Sequence, residues 1–399
     1  MSNVVLVIGG GPGGSYASTL LAREGINVVL LEAAKHPRHH VGESMLPSMR
    51  HYLRFIDLEH EYDRRGFVHK ATWCSIQVYT DFNILGPDRT TWNVLRAEAD
   101  EIMLQHAASQ GVLTRVNEVY FQPMEAHSSR PVSATWTHKS GRTGKITFDW
   151  LIDASGREGI LSTKHLRNRI FREGLRNVAL YGGPRSNAPW FECLTDKLGW
   201  AWLIPLHNGM TSIGVVMHEE TSKSKRLGQL NSLKNHYFQQ LELAPGVQAL
   251  IGTKGYFVNG SIKMTSDYSY HATSYSGDHY RIIGDAAAFV DPLFSSGVHS
   301  AMTGALSAVS TILGSMKGQV AELEAQAWHD AKVGVCQTRF LLIVLSAYKQ
   351  MQHGGGNRAI VGDINHSHFE TAFNLFRPVQ FIKGRVIRPQ HSQTVSCQL

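Results

Sequence analysis

A chain of 399 residues, 43% apolar and 18% charged, holds enough apolar material for two or three structural units and is neither disordered nor fibrous in composition. Its formal charge is +7, yet the basic residues form no dense run, the nearest being Arg64-Arg65 and Lys223-Ser224-Lys225-Arg226, so no nucleic-acid partner is expected. Cys74, Cys193, Cys336 and Cys397 are widely spaced with no CxxC pair and read as reduced thiols. Nothing at the start resembles a leader, and the longest apolar run, 340–345, stops well short of the ~20 residues that span a bilayer. A soluble, cytoplasmic protein with no membrane partner is expected.

In chain order, Val4-Val5-Leu6-Val7-Ile8 is a continuous β-branched and aliphatic run suited to a parallel strand buried on both faces. Gly9-Gly10-Gly11-Pro12-Gly13-Gly14 follows, then helical spacing over 15–24 ending at Gly25, then a second strand over 27–31 closing on Glu32. Residues 73–92 alternate like strands of a second sheet, 94–110 return to helical periodicity, and 112–150 look like short antiparallel strands. A buried strand over 148–153 runs into Ala154-Ser155-Gly156. Strands dominate 166–275 apart from a helix over 222–241; Arg281-Ile282-Ile283 forms a short strand before Gly284-Asp285; helices follow over 298–313 and from about 321, with Gly354-Gly355-Gly356 as a break.

Gly9-x-Gly11-x-x-Gly14 is a common pattern, but here it directly follows a strand, opens a helix, and has an acid, Glu32, at the end of the next strand. That context specifies dinucleotide binding. The first glycine makes the turn, the second lets backbone approach the pyrophosphate, and the third lets helix and strand pack closely. The helix N-terminus presents N–H groups to the phosphates, and Glu32 is placed for the ribose hydroxyls. The unit alone does not separate NAD from FAD.

The segment Gly284-Asp285-Ala286-Ala287-Ala288-Phe289-Val290-Asp291-Pro292 resembles the second nucleotide motif of glutathione-reductase-type flavoprotein monooxygenases. The resemblance implies FAD, with Asp285 on the ribityl chain and the helix starting near Gly297-Val298 aimed at the flavin pyrimidine, where its dipole favours negative charge. It also places Arg96 and, at the start of Lys35-His36-Pro37-Arg38-His39-His40-Val41-Gly42-Glu43-Ser44, Lys35 among the cofactor contacts.

Gly199-Trp200-Ala201-Trp202-Leu203-Ile204-Pro205 matches the WxWxIP signature of flavin-dependent halogenases. Tryptophans at i and i+2 of a strand share one face; in that family the wall they form is thought to keep substrate from the flavin. Lys70 lies where the family carries its required lysine, and the 35–47 stretch resembles the phenolic, fungal natural-product subgroup. The resemblance implies that Lys70 receives hypohalous acid, since a desolvated lysine loses its proton readily. After Lys70 the chain departs from the family's Gly-Ala-aromatic pattern with Ala71-Thr72-Trp73-Cys74, which alters that part of the pocket. The resemblance also implies halide at the backbone N–H groups of Ser296-Gly297, donors of a kind that suit an anion. Tryptophan halogenases carry a glutamate three residues before that glycine; Phe294 stands here, favouring a phenolic or pyrrolic ring that stabilises its own cation.

These readings give a mixed α/β protein of the glutathione-reductase type. A discontinuous FAD-binding Rossmann domain (1–66, 92–165, 276–320) is interwoven with an antiparallel β-sheet substrate domain (67–91, 166–275), followed by a C-terminal helical region (321–399). The resemblance runs from Val4 to Phe373-Asn374-Leu375-Phe376-Arg377-Pro378. It implies a halogenase using reduced FAD, oxygen and chloride or bromide on a small electron-rich aromatic substrate, free or tethered to a carrier protein. The stretch Asp153-Ala154-Ser155-Gly156-Arg157 lacks the Asp-Gly step of self-reducing hydroxylases, so a separate flavin reductase is the expected partner. The alternative enzyme is a monooxygenase that hydroxylates or epoxidises its substrate directly, and a redox-inactive flavin-binding scaffold is a third class. No metal is expected, because His36, His39 and His40 lack a matched acidic or cysteine partner.

Overall fold

The computed structural model describes residues 3–353 apart from 71, 76–78, 82–89, 117–121, 124–129, 182–188, 227–232, 253–256, 258–261 and 267–268. Gly354-Gly355-Gly356, the 373–378 segment and Ile76-Gln77-Val78 therefore lie outside the described residues.

Among these, six strands form one sheet in the order Ser276–Gly277, Tyr280–Ile282, Trp150–Asp153, Val4–Ile8, Asn27–Glu32, Leu113–Val116. All neighbours run parallel except the edge pair Ser276–Gly277 with Tyr280–Ile282. Val5, Leu6 and Val7 are wholly buried, as a strand covered on both faces requires. Leu113–Val116, read as part of an antiparallel region, instead joins the parallel sheet; the preceding helix, Arg96–Ser109, returns the chain to the same end as a crossover must.

The glycine-loop helix, Pro12–Arg23, packs on one face of this sheet against Ser296–Met316 and Arg96–Ser109. Close approach is possible because Gly13 lies where a Cβ would sit 3.3 Å from Ala301 Cβ. Ser48–Phe55 and Glu59–Arg64 are short helices that no periodicity announced. They owe their position to Met49, Leu53 and Tyr62, which are buried in the same core.

A second sheet orders Lys263–Thr265, Asn177–Tyr181, Thr211–His218, Gly199–Pro205, Trp190–Cys193, Thr72–Ser75 and Tyr79–Asp81. It is antiparallel except where Trp190–Cys193 meets Thr72–Ser75 in parallel. Strands more than 100 residues apart are not joined by a hairpin, so nothing imposes the antiparallel sense there. Val68–Lys70 and Thr91–Asn93 form a separate two-stranded ribbon. Of the helix read over 222–241, the described residues form Glu219–Arg226 and Leu233–Leu241, and 227–232 lie outside them.

The helix Glu322–His353 runs 32 residues and lies along Ser296–Met316. Its Glu322–Lys349 portion is long and apolar enough, by length and composition only, to cross a membrane. In this fold it carries polar groups that are used internally: the buried His329 Nδ1 meets Ser307 Oγ at 2.8 Å, and the half-buried Asp330 accepts from the Tyr275 N–H.

Candidate active site

A cavity of about 1120 Å³ runs from the glycine loop to the tryptophan strand, at the carboxyl ends of Val4–Ile8 and Asn27–Glu32. That volume lies at the upper end of small-molecule sites, and the carboxyl edge of a doubly wound sheet is where such folds bind nucleotides.

At one end, Gly9 has φ +103°, a conformation open to glycine. A Cβ on Gly14 would lie 1.8 Å from the Gly9 carbonyl oxygen. Gly11 caps Pro12–Arg23 without a side-chain bond, and no acid stands in the helix's first turn, so its positive end is uncompensated. Glu32 accepts the Gly10 N–H at 2.5 Å and the Ala34 N–H at 2.7 Å, fixing its carboxylate at the cavity edge. This is a cradle suited to a diphosphate and a ribose.

Lys35 is exposed and does not line the cavity; Arg38 does. The Arg38 guanidinium lies 3.4 Å from where a Cβ of Gly11 would stand and 3.2 Å from Asp100 Oδ2. Only His36 and Pro37 separate the two basic groups in an irregular segment, where no periodicity tells which turns inward. Arg96, at the start of its helix, grips Asp100 bidentately at 2.8 and 3.0 Å and donates to the Val41 carbonyl at 2.7 Å. Burial works against the charge on Asp100, but the Arg96 and Arg38 guanidinium groups outweigh it and hold the carboxyl below its ordinary range. Arg96 and burial together push His40 down to about 4, so it is neutral. Asp285 is half-buried on the cavity wall, its carboxyl raised by desolvation. Ser296, Gly297 and Val298 line the cavity at the N-terminus of Ser296–Met316, whose first turn also lacks an acid. Phe294 packs instead into apolar clusters with Leu293 and Val290.

At the far end, Trp200 and Trp202 both line the cavity with ring centroids 5.7 Å apart. Gly214, opposite Trp202 in the neighbouring strand, makes room for it: a Cβ there would come within 2.2 Å of the indole. Trp202 donates to Ser212 Oγ at 3.2 Å. Trp200 donates to the Tyr348 hydroxyl at 2.8 Å, which also accepts from Asn177 at 2.9 Å and donates to Asp291 at 3.1 Å. That oxygen's two lone pairs and one proton are all used. Asp291 is wholly buried, pushed up to about 6 by desolvation, and its other oxygen accepts the Leu293 N–H at 2.9 Å. Tyr348 thus ties the tryptophan wall to the 292–297 loop. Nothing local in the sequence marks it, 148 residues from Trp200.

Tyr348→Phe is expected to leave a buried indole N–H and a carboxylate short of partners, costing ~1–3 kcal/mol in denaturant titrations. Unchanged stability would show that water replaces the hydroxyl there.

Lys70 ends the strand Val68–Lys70 and is 2% exposed. Its Nζ donates to Ser44 Oγ at 2.8 Å and to the Met45 carbonyl at 2.9 Å. Burial lowers its pKa to about 7. Lys70 is not itself a lining residue; Ser44, which holds it, is.

A nucleotide cradle, a switch-point cavity and a second helix terminus at the same cavity define a flavoprotein, and the family model described as FAD binding domain matches residues 2–331. Over 403 residues the chain is 70% identical to the flavin-dependent halogenase armH5 of Armillaria mellea, covering 95% of this chain and 77% of that one. It is 45% identical over 411 residues to the sulochrin halogenase gedL of Aspergillus terreus, covering 94% and 74%. The solved structure of the myxobacterial chondrochloren halogenase CndH aligns with a TM-score of 0.80 at 26% identity, over 94% of this chain and 89% of that one. The flavin-dependent brominase Bmp2, at 22% identity and a TM-score of 0.76, shares the fold. The chain belongs to the flavin-dependent halogenases: it is an oxidoreductase that uses FAD, with halide as a substrate.

Proposed function

We propose that this halogenase passes an electrophilic halogen through Lys70 to an electron-rich, phenol-like ring. The observation that carries the reading is the buried amine of Lys70, brought to about 7 and held by Ser44 at the cavity wall. When bound, reduced FAD supplies with oxygen the two-electron oxidation of halide to hypohalous acid. Gly9, Gly11, Gly14 and Glu32 would hold its adenosine diphosphate part, with Arg38 in the position first assigned to Lys35; Arg96, Asp285 and Val298 would hold the flavin part. Ser296 and Gly297 would hold chloride or bromide with backbone N–H groups.

The neutral amine then takes the halogen, R–NH2 + HOX → R–NHX + H2O, and delivers it to the ring. A neutral amine keeps the nitrogen lone pair that attack on halogen needs, while its N–H groups donate to Ser44 and the Met45 carbonyl. Trp200 and Trp202 exclude the substrate from the flavin side. With Phe294 in an apolar cluster, the ring's own hydroxyl stabilises the cationic intermediate. Reduced FAD would come from a partner reductase, in keeping with Asp153-Ala154-Ser155, and a cytoplasmic setting fits the free thiols Cys193 and Cys336. The substrate is a small aromatic molecule, free or carrier-bound.

The test supplies the protein with reduced FAD, oxygen and bromide or chloride over a panel of phenols, followed by mass spectrometry. Halogenated product is expected. Hydroxylated product without halogen would overturn the lysine route in favour of direct oxygenation.

A further inference from the structure

Asn93 closes the strand Thr91–Asn93 and is wholly buried, yet neither its amide oxygen nor its amide nitrogen has a hydrogen-bond partner. Its neighbours are fully engaged. Trp92, on the opposite face, donates to Asp63 at 3.0 Å beneath the Arg50 guanidinium. Thr91, on the same face as Asn93, donates to the Leu46 carbonyl at 3.0 Å. Leaving a buried polar group unpaired costs ~1–3 kcal/mol, and such exceptions call for a ligand, a water or a catalytic reason.

The register says what lies beside it. Val68 pairs with Asn93 and Lys70 with Thr91, antiparallel, so Asn93 and Lys70 are diagonal neighbours on one face, within reach for a long side chain. Ser44 is bridged to Asn93 from the other side. Ser44 also accepts the Lys70 N–H and lines the cavity. Three polar side chains from three distant segments therefore share one face, and only the amide is unoccupied.

We propose that Asn93 binds the oxygen end of hypohalous acid beside Lys70, and water between turnovers. This rests on the Lys70 reading above. An amide offers a donor and an acceptor together, complementary to an O–H species but not to a bare halide. Its nitrogen lone pair is delocalised, so it holds the oxidant without competing with the amine for the halogen. As the Lys70 nitrogen bonds to halogen, the O–X bond breaks and its electron pair stays on oxygen. That oxygen takes the proton the amine gives up and leaves as water. An Asn93 N–H aimed at it stabilises the charge that builds during transfer.

The test uses the holoenzyme with reduced FAD, oxygen and bromide, without aromatic substrate. Oxidising equivalents that stay with the protein through gel filtration are titrated with a thiol, and escaped hypobromous acid is captured by a dissolved β-diketone. Asn93→Leu and Asn93→Ala are expected to retain FAD and near-wild-type thermal stability, because no protein group depends on the amide for a hydrogen bond. Protein-bound oxidant should fall on the order of 10²-fold, with trapped hypobromous acid rising in step. Wild-type protein-bound oxidant in both variants, or loss of folding in both, would overturn the proposal; the latter would make the amide a structural group. Lys70→Met in parallel separates the two readings. Wild-type bound oxidant in Lys70→Met sinks the lysine route itself, whereas none there with normal retention in the Asn93 variants sinks the Asn93 proposal alone.

Discussion

Lys70→Met is expected to cut halogenated product by at least about 10³-fold, the scale on which removing the group that carries a covalent intermediate acts, while FAD remains bound. Methionine fills nearly the same volume without a titratable nitrogen. The wild-type enzyme should also gain activity as pH rises through about 7, because only the neutral amine attacks halogen. Stability follows pH in the same direction. Burial depresses the lysine pKa from 10.5, so the folded protein is favoured above the unfolded value and loses that advantage as pH falls toward about 7. At neutral pH, Lys70→Met should therefore be more stable than wild type by on the order of 2–4 kcal/mol, less what the bonds to Ser44 and Met45 contribute. An inactive variant that melts higher than wild type would mark the lysine as kept for chemistry. A variant that halogenates normally would eliminate Lys70 as the carrier.

Gly14→Ala should abolish stable FAD retention. The new Cβ would stand 1.8 Å from the Gly9 carbonyl oxygen and 3.2 Å from Ala154 Cβ, so helix or loop must shift by about an ångström. Overpacking of that kind costs ~1–3 kcal/mol. A displacement that size at a positioned diphosphate is worth about 10²-fold. Absorbance at flavin wavelengths after gel filtration, and titration with oxidised FAD, measure it; wild-type affinity would show that the loop does not set the cofactor. Gly11→Ala is the informative companion. Its Cβ meets only the tip of the Arg38 side chain, at 3.4 Å, so the fold should survive and any loss reports the ligand side alone.

The glycine loop and the tryptophan pair were legible because each is written in consecutive residues. Gly9, Gly11 and Gly14 declare a turn between strand and helix, and Trp200 and Trp202 must share a strand face whatever surrounds them. Lys35 shows the limit: in an irregular segment no period decides which side chain turns inward, and the structure brings Arg38 to Gly11 instead. The 112–150 region erred for a related reason, since Leu113–Val116 is parallel only because of where Arg96–Ser109 returns the chain.

What the sequence by itself determined is the nucleotide cradle and the sheet that carries it, which follow from local sterics and periodicity; the candidate residues of the halogen route rest on the resemblance to flavin-dependent halogenases. Only the tertiary structure decided what those residues have become. Lys70 is near neutrality because it is desolvated among residues distant in the chain, and Trp200 is braced by Tyr348 from a helix 148 residues away. The Asn93 side chain stands unpaired beside Ser44 because a two-stranded ribbon and an isolated bridge meet there. Burial and long-range pairing are properties of the whole packed chain, so no window of sequence contains them.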